Sequence, residues 1–93
     1  MTKFKSVQEQ HFPTLDIYVP VVARVHGGSH PEFHKVKELY EQIKTKVAEA
    51  ESLAQEFAEL RQVTDDYTVP GDVCESYEAV YKMLEELDQA YHA

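Results

Sequence analysis

From Lys3 to His26 the apolar residues Phe4, Val7, Phe12, Leu15, Tyr18, Val19, Val22 and Val25 recur mostly in steps of three and four, the spacing of one helix face. Pro13 and Pro20 interrupt the pattern. A proline inside a helix removes one backbone hydrogen bond and crowds the preceding turn. The expectation is therefore a kinked first helix over residues 3–26, broken near His11, restarting with Pro13 in its first turn and bending near Pro20. The β-branched run from Ile17 to Val22 keeps a strand open as the competing reading. A second segment opens at Ser29-His30-Pro31-Glu32, the pattern of a capping box, with Ser29 as cap and Glu32 reaching back. Val36, Tyr40, Ile43, Val47, Ala50, Ala54 and Phe57 then alternate in steps of three and four, widened by Phe33, Leu39, Leu53 and Leu60. No Gly or Pro interrupts the 38 residues between Pro31 and Pro70. One long helix over residues 31–64 is predicted, ~50 Å in length, against a diameter of ~32 Å for a compact chain of this size. A second capping box, Asp72 to Glu75, precedes Tyr77, Val80, Tyr81, Leu84, Leu87 and Tyr91, which predict a last helix over residues 72–92.

The 93 residues form a single domain, 1–93, and with three Gly and four Pro there is little turn chemistry for a sheet sandwich. The fold class expected is all-α. A central helix longer than the globule, with the shorter helices packed near its ends, leaves an apolar middle uncovered. The expectation is a homodimer whose interface includes Tyr40, Ile43, Val47, Ala50, Ala54 and Phe57, with Ala50 and Ala54 permitting close helix approach. The net charge of −8 is uneven: residues 1–30 carry three bases and two acids, residues 31–93 six bases and fifteen acids. An acidic surface repels phosphate backbones and anionic lipid headgroups, so neither nucleic acid nor a membrane is expected as a partner. One cysteine, Cys74, and the absence of a long apolar run suggest a cytoplasmic protein.

Candidate chemistry is sparse. His26, His30 and His34 recur every four residues across a Gly-rich turn, and imidazoles at that spacing can converge on a transition metal, although Gly27-Gly28 interrupts the helix such convergence needs. Capping or solvated histidines are the plainer reading. Cys74 falls in the first turn of the last helix, where the macrodipole favours a thiolate, but no histidine base can be placed beside it from sequence, and a small buried thiol is the commoner outcome. The tyrosines at helical spacing suit packing, and the acids Glu49, Glu51, Glu56 and Glu59 suit a solvated face. No hydrolase triad, phosphate-cradling loop or CxxC pair is present, so an enzyme is not expected.

Val25-His26-Gly27-Gly28-Ser29-His30-Pro31-Glu32-Phe33 resembles the V-H-G-x-x-H-P-E-L signature of the iron-sulfur cluster repair di-iron (RIC) proteins, whose catalytic domain is hemerythrin-like. The stretch Glu59-Leu60-Arg61-Gln62-Val63-Thr64-Asp65-Asp66-Tyr67 through Pro70, Cys74, Ser76-Tyr77 and Tyr81 is similar to a second motif of that family, in the same order. The resemblance implies a helical bundle holding two irons through histidines and bridging glutamates. Residue by residue, the ligand set does not carry over. The family's first-helix histidine falls on Lys5 and its third-helix histidine on Ala50; only His26 matches an iron ligand. Between Lys46 and Glu49 roughly a helical hairpin's worth of family sequence is missing, and the last histidine and glutamate ligands would lie past Ala93.

A di-iron centre needs about six side chains around two cations, so none is expected, nor any other cofactor. The resemblance thus implies a shortened hemerythrin-like bundle, completed by dimerisation. Its function would be that of a non-catalytic interaction or accessory protein in stress response or iron-sulfur cluster maintenance, with a protein partner there. The alternatives are a metal-binding protein with a reduced site at His26, His30 and His34, and a helical scaffold unrelated to iron.

Overall fold

A computed structural model describes residues 2–92; Met1 and Ala93, the outermost residues of the expected domain, lie outside the described residues. Four helices follow in order: α1 (Thr2–His26), α2 (Glu32–Ala48), α3 (Ala54–Val63) and α4 (Glu75–Tyr91). The described residues contain no strand. Helix α1 lies against α2 and α4, and α2 against α3. Contacts of His26 with Cys74, His11 with Glu86 and Phe4 with Tyr91 show α1 and α4 running antiparallel.

The first helix passes through both prolines without a break. Pro13 and Pro20 lie seven residues apart on the exposed side, and the carbonyls they orphan belong to Glu9 and Asp16, which are exposed too. Water can satisfy those carbonyls, so neither proline forces the helix to stop near His11.

The single helix over 31–64 does not form. The chain reverses between Ala48 and Ala54, and the long axis of the molecule is 35 Å, shorter than such a helix would be. Glu49 caps α2, Ala50 takes a left-handed conformation (φ 56°), the Glu51 N–H donates to the Lys46 carbonyl at 2.9 Å and the Ala50 N–H to Val47 at 3.1 Å. This is a Schellman termination with alanine where glycine is usual. Long-range partners hold it. The Leu53 N–H donates to the Tyr91 hydroxyl at 2.9 Å, the Leu53 side chain is buried, and Lys46 pairs at 2.6 Å with Glu56, which is buried in the first turn of α3.

That reversal changes what the apolar stripe covers. Tyr40, Ile43 and Phe57, expected at a dimer interface, are buried within one chain beside Leu15, Val19, Leu84 and Leu87. Val47 packs half-buried on this core, while Ala50 and Ala54 are exposed near the corner. The uncovered middle that argued for a partner copy is filled by the chain itself.

Candidate functional site

The motif residues gather at one end of the bundle, where the α1–α2 turn meets the loop into α4. Helix α1 closes at His26, whose carbonyl accepts from the Ser29 and His30 amides at 3.1 and 2.7 Å. Gly27 is buried, and a β-carbon there would collide with the His34 imidazole and the Ala23 carbonyl. Glycine thus lets the exposed His34 ring seat directly on the turn.

Neither capping box forms. Helix α2 has Pro31 at its N-cap and α4 has Cys74, both without a side-chain cap bond. Two acids of those boxes grip His30 instead: Nδ1 lies 3.1 Å from Glu32 Oε2 and Nε2 lies 3.1 Å from Asp72 Oδ1. A neutral imidazole carries one N–H, so both contacts are hydrogen bonds together only in the imidazolium form. His30 therefore bridges the start of α2 to the loop before α4. Beneath it, the buried Tyr77 donates to Glu32 at 3.2 Å and lies 3.0 Å from the Tyr81 hydroxyl. Burial pushes both phenols up from the ordinary tyrosine range. The Tyr77 ring meets His26 and His30 edge-on, each with ring centres 5.5 Å apart.

His26 points elsewhere than His30. Its Nε2 lies 3.1 Å from the Sγ of Cys74, an exposed thiol, so the histidine that could not be placed from sequence comes from the far end of α1. The expected trio His26, His30 and His34 does not share one polar site: the His26 and His30 rings lie 6.5 Å apart centre to centre against Tyr77, but His26 reaches Cys74, His30 reaches Glu32 and Asp72, and His34 lies on Gly27. Among the described residues no group of three or more His, Cys, Asp or Glu is arranged to hold a metal ion.

The second motif is a structural lock. Asp65, Asp66 and Tyr67 are all left-handed (φ 53°, 58° and 61°), and the Thr64 hydroxyl donates to Leu60 and accepts the Tyr67 N–H at 2.8 Å. The Tyr67 hydroxyl then donates to Asp88 at 2.7 Å, and Arg61 Nη1 reaches both oxygens of the same buried carboxylate at 2.7 and 2.8 Å. This arrangement ties the loop after α3 to α4.

This geometry belongs beside one sequence relation. The chain is similar to Iron-sulfur cluster repair protein ScdA of Staphylococcus haemolyticus (strain JCSC1435). The two are 21% identical over 126 aligned positions, covering 98% of this chain and 57% of that protein. The relation is distant, and the chain spans little more than half the relative's length. An alignment of 126 positions against a chain of 93 residues is opened by gaps in this chain. No family model matches the chain, and no solved structure matches it.

Proposed function

We propose that this chain is a helical accessory protein in iron-sulfur cluster maintenance, acting through a protein partner and without a di-iron centre or catalysis of its own. The observation that carries the reading is the relation to a cluster-repair protein along 98% of the chain, set against Lys5 and Ala50 at the positions of family ligands. A bundle that keeps its cluster-repair ancestry without that donor set retains its surface as the means of acting. One surface fits this role: Ile17, Val21 and Val25 recur every fourth residue on α1 and are 64%, 40% and 65% exposed. Such a row is the kind of apolar strip a partner covers. Among the described residues no helix is long and apolar enough to cross a membrane.

The test is genetic and direct. Cells lacking the chain are challenged with peroxide or nitric oxide, and the recovery of an endogenous iron-sulfur dehydratase is followed. Slower recovery, restored by the native chain but not by Val21→Asp, is expected. Unchanged recovery in the deletion strain would refute the role, and full restoration by Val21→Asp would refute the strip.

A further inference from the structure

Cys74 is exposed and stands at the N-cap of α4, and its thiol is not spent on capping. It has a partner from a separate element: His26 Nε2, 3.1 Å away, at the last residue of α1. The imidazole is half-buried and braced by the edge of the buried Tyr77 ring. A nucleophile within hydrogen-bond reach of a base, with the base steadied by a third group, is the arrangement that activates thiols. The two helix ends add to it. The N-terminus of α4 faces negative charge forming on Sγ, and the C-terminus of α1 faces positive charge forming on the ring.

We propose that Cys74 and His26 form a nucleophile–base pair that undergoes reversible thiol–disulfide exchange with small disulfides, storing one thiol fragment on Cys74. As Sγ attacks one sulfur of the incoming disulfide, His26 Nε2 receives the thiol proton. The old S–S bond breaks, the departing sulfur takes that proton and leaves as a thiol, and Cys74 is left in a mixed disulfide. A second thiol reverses the step. The incoming disulfide is the oxidant, and no further redox partner is needed.

The charges around the sulfur select among disulfides. Asp72 and Glu75 flank Cys74 in exposed positions, Glu78 follows one turn into α4, and Glu32 faces the same end from α2. Against these four acids stand the fixed cations Lys82, which pairs with Glu78 at 3.4 Å, and Arg24 in the last turn of α1, besides the imidazoles, of which His30 is held between Glu32 and Asp72, so the acids remain in excess. A cationic disulfide therefore approaches more readily than an anionic one. The exchange chemistry is independent of the role in cluster maintenance: it rests on the thiol, the imidazole and their surroundings alone.

The experiment follows the purified full chain by intact-mass spectrometry after addition of cystamine or oxidised glutathione at one pH. Native Cys74 is expected to form the cystamine adduct at least tenfold faster than the same cysteine in the urea-unfolded chain. His26→Gln is expected to lose most of that gain. Cystamine should outrun oxidised glutathione, with the gap narrowing as salt is raised. A native rate no greater than the unfolded rate would overturn the proposal even if the variant fails to fold. So would a folded His26→Gln protein reacting as fast as the native chain. Equal rates for the two disulfides at low salt would overturn the charge selection.

Discussion

Replacing Ala50 by glycine distinguishes a reversed α2–α3 corner from a continuous helix by the sign of its effect. Ala50 is left-handed at φ 56°, with an exposed methyl group, so glycine removes strain without removing packing. An L residue in that conformation costs roughly 1–2 kcal/mol, and the added freedom of glycine in the unfolded chain returns about 0.5–1 kcal/mol of that. The net expected is a stabilisation of about 0.5–1 kcal/mol, or a rise in Tm of ~2–8 °C for a domain of this size. In the middle of a continuous helix the same change loses about 1 kcal/mol. Ala58, exposed within α3, supplies the matched control, and Ala58→Gly should lose about that amount. Thermal and urea melts followed by far-UV circular dichroism measure both. A loss of stability in Ala50→Gly equal to that in Ala58→Gly would refute the corner.

Other consequences can be measured on the same melts. Tyr67→Phe deletes a hydrogen bond to the buried Asp88 carboxylate and should cost about 1.5–3 kcal/mol; an unchanged midpoint would show the lock to be dispensable. Gly27→Ala drives a methyl group into His34 and the Ala23 carbonyl and should cost about 1–3 kcal/mol. In a His34→Ala background the imidazole part of that clash is gone, so the loss should shrink; an equal loss in both would contradict the seating of His34. Burial raises the phenols of Tyr40, Tyr67, Tyr77 and Tyr81 above the ordinary range. Above about pH 10 the unfolded chain releases those protons while the folded one keeps them, so stability falls by up to about 1.4 kcal/mol per pH unit for each phenol. It should be undiminished by this cause below that pH. Ionisation of more than two of the six tyrosines well before helix is lost would contradict this.

The helical class and the ends near His26, Glu32, Val63 and Tyr91 are readable from sequence because periodicity and turn residues agree there. Helices α1 and α4 fall within a few residues of the spans 3–26 and 72–92, but the break expected near His11 is absent, because the wet-side placement of Pro13 and Pro20 leaves α1 intact. The corner at Ala50 is silent locally. Its termination uses no glycine, and what holds it are Tyr91 and Glu56, one of them from the far end of the chain. The two capping boxes mislead for a related reason: Glu32 and Asp72 have the right spacing to cap, but His30 lies between them in space and takes both. The histidine triplet reads as one site only if its helix continues through Gly27-Gly28. The turn there sends His26 to Cys74, His30 to the acids and His34 onto Gly27. The Cys74–His26 pair spans 48 residues and becomes visible only when α1 and α4 are laid antiparallel.

The proposed accessory role without a di-iron centre requires that the chain be isolated with almost no metal. The deciding quantity is iron and zinc content per chain, measured on protein purified anaerobically and again after exposure to air. Far less than one metal ion per chain is expected in both preparations, unaltered by His26→Ala. Two irons per chain with the absorption of an oxo-bridged pair, lost in His26→Ala, would contradict a metal-free role.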